Sequence, residues 1–210
     1  MNKGNIVDLR KRVGVVLARL QPIHNGHLAL IEKACKENEA VYVFVGSADK
    51  FNKRNPLPIN LRMQLAEAAI EPLRGKNTYS FPEDEGEMHE VEIKIIPLDD
   101  LTDESDNSHE WGFYLYSKIV SETKNPNFTI YYSDGYEIIT TWFPSFILRN
   151  NVSLSLLARN ATVDGISATK IREMIMKEDE ESLKNYVPEC VYNNTWTIKK
   201  HIELAELIKQ

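Results

Sequence analysis

The chain has 210 residues, 42% of them hydrophobic, and a formal net charge of −6. This length is enough for one domain with a substantial core. We expect a single domain over residues 1–210, with a small C-terminal helical extension from about residue 179. An acidic chain is a poor candidate for general nucleic-acid binding. The two cysteines form no disulfide framework, which fits a reducing compartment. We find no apolar run of transmembrane length and no signal-like N-terminus, so we expect a cytoplasmic protein that contacts no membrane.

Strand-like and helix-like patterns alternate along the chain. The predicted strands cover residues 13–18, 40–46, 91–96, 127–132 and 152–157. The predicted helices cover residues 26–38, 60–71, 109–123, 135–142, 168–177 and 195–208. Nearly continuous apolar strands separated by helices indicate an α/β fold with a Rossmann-like parallel sheet and crossover helices. Residues 75–90 are polar and predict a loop or hairpin.

The first candidate site directly follows the strand at 13–18. His24 and His27 are three residues apart at the start of the next helix, so they share a helix face. Gly26 lets a ligand approach the backbone closely. The unpaired N–H groups and the positive dipole end of a helix N-terminus favour phosphate. The segment therefore predicts a phosphate-handling site, and the alternative is a structural or surface histidine pair.

A second candidate anion site lies at residues 165–172. Ser167 is a good N-cap for the helix that follows. The hydroxyls of Ser167 and Thr169, backbone N–H groups and the cations of Lys170 and Arg172 can converge on one anion. The predicted site comprises Gly165, Ile166, Ser167, Thr169 and Arg172. The alternative is an ordinary capped surface helix in which Arg172 pairs with a neighbouring glutamate.

A third set of polar residues follows the strand at 40–46. Gly46 and Ser47 end this strand, and Lys53 and Arg54 come shortly afterwards. Because carboxyl ends of parallel strands meet at one edge of a sheet, we expect Ser47 to lie near His24. Local cations in an acidic chain suit a small anionic ligand better than a polyanion.

Together these motifs resemble the nicotinamide mononucleotide (NMN) adenylyltransferases, especially the archaeal-type branch, of the nucleotidyltransferase superfamily. The similar patterns are H-x-G-H at 24–27, G-S-A at 46–48, R-N-P-L at 54–57 and I-S-x-T-x-I-R at 166–172. The resemblance covers residues 13–74, 93–100, 109–134 and 163–192, and it is poor at 75–90 and 135–160. Ala18 departs from the family's usual Gly before the lead-in Arg, and Ala168 stands where many members have Gly or Ser.

The resemblance implies the nucleotidyltransferase fold and a direct in-line transfer of the adenylyl group of ATP to NMN, giving NAD and pyrophosphate. It implies that His24, His27 and Arg172 are the catalytic residues, and that the two histidines stabilise charge on the reacting phosphate by electrostatics and positioning alone. Phosphate contacts are expected from Arg19, Leu20, Gln21 and Arg54, and from Gly165, Ile166, Ser167, Thr169 and Arg172. The ion would be Mg²⁺ carried mainly by ATP, so we name no metal-ligating residue.

The same resemblance suggests where the acceptor binds. Trp111 is expected to stack on the cationic pyridine ring, and the alternative is a core tryptophan on the helix at 109–123. Asn107 would contact the carboxamide, with Ser47 nearby. Asp134, which follows the strand at 127–132, would contact ribose.

Other functions remain open at this stage. A different nucleotidyltransferase would share the mechanism but accept a flavin mononucleotide, phosphopantetheine or a phosphorylated polyol. A regulatory module would bind ATP or NAD without turnover. The sequence is compatible with a homo-oligomer, and it leaves the choice between nicotinamide and nicotinate forms and the purpose of residues 75–90 undecided.

Overall fold

A computed structural model describes residues 11–74, 78–79, 89–103, 105–135, 137–158 and 165–208. The strands in these ranges are β1 (Val13–Ala18), β2 (Ala40–Val45), β3 (Thr78–Tyr79), β4 (His89–Glu90), β5 (Glu92–Pro97), β6 (Phe128–Ser133) and β7 (Val152–Leu157). The helices are α1 (Asn25–Glu37), α2 (Ile59–Arg74), α3 (His109–Thr123), α4 (Ile139–Trp142), α5 (Ser145–Asn150), α6 (Ala168–Lys177), α7 (Glu180–Leu183), α8 (Glu189–Tyr192) and α9 (Thr195–Leu207).

The main sheet is parallel, with the strand order β5-β2-β1-β6-β7. Val15 pairs with Tyr42 on one side and with Ile130 on the other, so β1 is the central strand. The chain first builds outward from β1 through β2 to β5, and then returns to the opposite side of β1 with β6 and β7. This reversal creates a crevice beyond the carboxyl ends of β1 and β6, where such sheets bind ligands.

Each face of the sheet carries a buried core cluster, as the apolar strands predict. Successive residues of β1 point to opposite faces, so Val16 joins one core cluster and Val15 joins the other. The first cluster packs the sheet against α1, α2, α6 and α9, and the second packs it against α3, α4 and α5. The Rossmann-like α/β prediction is therefore confirmed.

The predicted bounds of β1, β7, α3 and α6 agree with the structure at every residue. The predicted helix at 135–142 is too long, since α4 spans only Ile139–Trp142 and α5 follows it. Pro144 explains the interruption, because a residue before proline avoids helical geometry and Phe143 is extended, with φ −100° and ψ 134°. The hairpin prediction is met by the antiparallel pairing of β3 with β4, although most of residues 75–90 lies outside the described ranges.

The C-terminal helices contribute to the first core cluster. Ile198 and Ile202 of α9 are buried there together with Ile171 of α6. The short helices α7 and α8 were not predicted from the sequence. The division of the chain into one domain with a C-terminal extension remains a prediction. Within the described residues, no helix has the length and apolar character needed to cross a membrane.

Candidate active site

A cavity of about 480 Å³ lies at the carboxyl edge of the sheet. Its volume falls in the range of roughly 300–1,000 Å³ that small-molecule sites occupy. Three segments that are far apart in the sequence meet in it: the loop after β1, the segment after β2 and the start of α6. The predicted residues in its lining are Arg19, Leu20, Gln21, His24, His27, Ser47, Arg54, Asn107, Trp111, Ile166, Ser167, Thr169 and Arg172.

The two histidines form a stacked pair at the start of α1. Their ring centroids are 3.7 Å apart, and the ring planes differ by 26°. His24 has the extended backbone of an N-cap, and its N–H donates to Nδ1 of His27 at 3.3 Å. Because Nδ1 of His27 accepts this bond, the proton of the neutral ring lies on Nε2. His27 can therefore present an N–H donor to a phosphate oxygen.

Gly26 allows the histidine pair to pack against the segment before α6. A Cβ at this position would lie 3.1 Å from Cε1 of His24 and 3.2 Å from Cγ2 of Ile166. Both distances are tighter than ordinary van der Waals contact. A larger residue would thus press the H-x-G-H segment away from the other phosphate motif.

Arg172 joins the start of α6 to the loop after β1. Its Nη1 donates to the carbonyl of Gln21 at 2.8 Å, and its Nη2 donates to Oγ1 of Thr169 at 3.3 Å. Ser167 caps the helix as predicted, because its Oγ accepts from the N–H of Lys170 at 3.3 Å. Burial lowers the pKa of Arg172, and the positive charge of Arg19 lowers it further. A bound anion would relieve this repulsion between like charges.

Gln21 is placed at the cavity, but its side chain already has backbone partners. Oε1 accepts from the N–H of Leu57 at 2.9 Å, and Nε2 donates to the carbonyl of Leu57 at 3.4 Å. The amide therefore ties the loop after β1 to the segment before α2. In that segment Asn52 Oδ1 accepts from the N–H groups of Arg54 and Asn55, which shapes the turn that carries Arg54. A phosphate contact by Gln21 stays a prediction.

At the other end of the cavity, two tryptophans meet edge to face. The ring centroids of Trp111 and Trp142 are 5.9 Å apart with an interplanar angle of 86°. Trp111 is 7% exposed, so it belongs to the second core cluster and also forms part of the cavity wall. The core and binding interpretations of Trp111 are therefore compatible.

Asn107 orients Trp142. Its Oδ1 accepts from the indole Nε1–H of Trp142 at 3.1 Å, and its Nδ2 donates to the carbonyl of Ser105 at 2.8 Å. Both ends of the amide are hydrogen-bonded within the protein. Each end keeps one further hydrogen-bonding position, the second N–H of Nδ2 and the second lone pair of Oδ1, so the expected contact between Asn107 and a carboxamide stays a prediction.

Two predicted residues lie outside the cavity lining that the structure describes. Tyr132 and Ser133 reach the cavity from the end of β6, but Asp134 does not. The chain turns there, and Gly135 has a φ of 84°. The ribose contact of Asp134 stays a prediction. Gly165 has a φ of 56° and leads into Ile166, which does line the cavity.

Sequence reasoning missed an acidic side of the cavity. The carboxylates of Asp100, Asp103 and Asp106 line it, close in the chain to Trp111. Hydrogen bonds from Ser105 and Ser108 lower the pKa of Asp103 and Asp106 respectively, so both carboxylates are ionised at neutral pH. The signal that was available is their position just after β5, at the ligand edge of the sheet. No comparable signal marked Trp142, because the resemblance is poor over residues 135–160.

Proteins with similar sequences have been identified in archaea. The chain is 27% identical over 123 residues to a nicotinamide-nucleotide adenylyltransferase of Halorubrum lacusprofundi, covering 58% of this chain and 55% of that protein. It is also 27% identical over 176 residues to a protein of the same name from Methanolobus tindarius, covering 83% and 82%. The match therefore spans about half the length of the first of these relatives.

A solved structure shares the fold. It is a bifunctional NMN adenylyltransferase/ADP ribose pyrophosphatase from Francisella tularensis, complexed with AMP and a manganese ion. The TM-score is 0.60 at 17% identity, over 93% of this chain and 52% of that one. The family model of the cytidylyltransferase-like proteins matches residues 18–174, which is most of the chain and includes both phosphate motifs. The chain belongs to the cytidylyltransferase-like family.

Proposed function

We propose that the protein is a nicotinamide-nucleotide adenylyltransferase, which transfers the adenylyl group of ATP to NMN and releases pyrophosphate. The observation that carries this proposal is the meeting of the His24–His27 pair with Arg172 at one end of a cavity that has an aromatic wall at the other. The names of the similar archaeal proteins favour the same reaction.

In this reaction a phosphate oxygen of NMN attacks the α-phosphorus of ATP. The new P–O bond forms as the bond from the α-phosphorus to the bridging oxygen breaks, and the electron pair leaves with pyrophosphate. Nε2–H of His27 is a preorganised donor for the oxygens on which negative charge increases, with His24 stacked beside it. The protein acts by positioning and electrostatics, so no covalent intermediate is required.

The leaving pyrophosphate would be held at the start of α6. The N-terminus of a ten-residue helix, the hydroxyl of Thr169 and the guanidinium of Arg172 lie there together. Arg54 lines the same cavity on a turn after β2 and supplies a further cation. These groups would bind the β- and γ-phosphates and stabilise the departing charge.

A divalent ion fits this site as part of the substrate. Mg²⁺ keeps several waters and binds phosphate oxygens, so it needs few protein ligands. Among the described residues no three His, Cys, Asp or Glu side chains are grouped as a metal site. The triphosphate would hold the ion, and Arg54 and Arg172 would share the remaining phosphate charge. When bound, the ion neutralises charge on the triphosphate.

The acceptor end favours the nicotinamide over the nicotinate form. A pyridinium ring with a neutral carboxamide suits the aromatic faces of Trp111 and Trp142 and the carboxylates of Asp103 and Asp106, which line the same cavity. Nicotinate mononucleotide brings an additional negative charge to the same wall, where it would meet like charges.

The test is a panel of acceptors. The purified protein is incubated with ATP, Mg²⁺ and one acceptor at a time, and pyrophosphate release is measured together with the nucleotide product. We expect turnover with NMN to exceed turnover with nicotinate mononucleotide, flavin mononucleotide, phosphopantetheine and a phosphorylated polyol. Faster turnover with one of the last three would replace the proposed acceptor. ATP binding without pyrophosphate release for any acceptor would indicate a sensor.

A further inference from the structure

Arg62 in the first turn of α2 is fully buried and connects the two loops that form the phosphate side of the cavity. Its Nη1 donates to the carbonyl of Arg19 after β1 and to the carbonyl of Gly46 after β2, both at 2.8 Å. Its Nη2 donates to the carbonyl of Ser47, also at 2.8 Å. One planar guanidinium thus satisfies three backbone acceptors from two neighbouring strand ends.

These carbonyls adjoin two unusual backbone conformations. Leu20 has a φ of 50° and Ser47 a φ of 51°, in the left-handed region that residues with a side chain adopt rarely. The carbonyl of Arg19 belongs to the peptide that leads into Leu20, and the third carbonyl is that of Ser47 itself. Such conformations persist where the surroundings determine them. Arg62 supplies a hydrogen bond at each one.

The cavity lining includes Arg19, Gly46 and Ser47, and Arg62 is not among the lining residues that the structure describes. Burial lowers the pKa of Arg62 to about 10, and the charge of Arg19 adds to this effect, while Asp100 and Asp49 oppose it. The guanidinium is therefore charged at neutral pH. It acts on the site through the backbone.

We propose that Arg62 is a positioning residue of the adenylyl-transfer site, whose guanidinium fixes the loops after β1 and β2 in the geometry that binds the triphosphate. This inference rests on the proposed function. Loop placement matters because a misplacement of about 1 Å can cost on the order of a hundredfold in rate. Lysine cannot replace the contact, since its three N–H donors leave from one nitrogen, whereas the three carbonyls are reached from two nitrogens of a planar guanidinium.

The experiment compares Arg62→Lys and Arg62→Gln with the same two substitutions at Arg74. Arg74 lies on the same helix and pairs with Glu67 and Glu71 at the surface, so it is a matched control. We expect Arg62→Lys to lower kcat/KM for ATP by about a hundredfold, through both a lower kcat and a higher KM for ATP, at a temperature where circular dichroism shows it fully folded. The Arg74 variants should stay within about twofold of the unmodified protein.

A second measurement separates this proposal from the proposed function. Titration calorimetry with a non-hydrolysable ATP analogue follows nucleotide binding without turnover, and we expect weaker binding in Arg62→Lys. If the unmodified protein shows no turnover with ATP and NMN, the proposed function fails. The titration then decides by itself whether Arg62 positions the nucleotide-binding loops. The positioning role is overturned if folded Arg62→Lys matches the unmodified protein in kcat/KM or, without turnover, in analogue affinity. It is also overturned if Arg62→Lys does not fold, which would show a purely structural role.

Discussion

At the scale of single residues, contacts within the protein fix the orientation of the histidine pair of the cavity. Nδ1 of His27 accepts from a backbone N–H, so the ring is oriented before any substrate arrives. His24 stacks on it at 3.7 Å. This arrangement suits a donor that must act on charge as it develops in the transition state.

His27→Ala should therefore lower kcat by on the order of 10²–10³ while changing the affinity for ATP much less. The control is His109→Ala, because His109 is an exposed histidine at the start of α3 that is not among the residues lining the cavity. Steady-state kinetics with ATP and NMN, together with thermal unfolding of both variants, give the comparison. Near-normal turnover in folded His27→Ala would remove the histidine from the proposed mechanism.

The sequence predicts which residues lie at the cavity more readily than it predicts their hydrogen-bond partners. The histidine spacing, the Ser167 cap and Arg172 all follow local rules of helix geometry, and the structure brings them together at one cavity. The partners of Gln21 and Asn107 depend on tertiary contacts with Leu57 and Trp142. No local pattern encodes those contacts, because they join segments more than thirty residues apart.

At the scale of elements, strands and long helices were predictable because their apolar periods are strong. The helices after β6 were harder to predict, because Pro144 divides that segment into two short helices. A helix as short as α4 has too few residues to show an apolar period. Its placement depends instead on a glycine in the neighbouring helix. A Cβ at Gly112 of α3 would lie 1.9 Å from the carbonyl oxygen of Trp142, so only glycine allows this approach.

Gly112→Ala should displace α4 and, with it, Trp142. Alanine inside a helix is ordinarily more stabilising than glycine by about 1 kcal/mol, so a loss of stability would identify the clash. We expect the free energy of unfolding to fall by about 1–3 kcal/mol, and the KM for NMN to rise more than the KM for ATP. Chemical denaturation and substrate kinetics measure these effects.

The control for this change is Ser117→Ala, at an exposed position of the same helix. It should alter stability by less than about 0.5 kcal/mol. An increase in stability for Gly112→Ala, with unchanged kinetics, would show that α4 can move without disturbing the acceptor end of the cavity.

At the scale of the whole molecule, charge is distributed unevenly in a chain of net charge −6. Cations of the cavity collect at the loop after β1 and the start of α6, where phosphates are expected. Asp103 and Asp106 line the same cavity shortly before Trp111 in the chain, whereas Asp100 accepts from the hydroxyl of Ser47 after β2. A cavity that offers cations to a phosphate and carboxylates to a cationic ring can orient a mononucleotide that carries both.

This charge pattern predicts how the protein discriminates between acceptors. Asp103→Asn removes a negative charge but keeps the Oδ1 acceptor that binds Ser105, so the loop should keep its shape. Because nicotinate mononucleotide carries the extra carboxylate, the variant should reduce the preference for NMN in kcat/KM by roughly two- to fivefold. Raising the salt concentration should reduce the same preference in the unmodified protein, since exposed charges are screened.

Asp179→Asn is the matched control, because Asp179 also accepts from a serine N–H, that of Ser182, and its carboxylate is exposed at the start of α7. It should leave the ratio of the two kcat/KM values unchanged. The two acceptors are compared in parallel for all three proteins at low and high salt. The charge explanation is contradicted if Asp103→Asn and the unmodified protein show the same preference and salt does not change it. The shape of the pocket around Trp111 and Trp142, and not the charge of its carboxylates, would then select the acceptor.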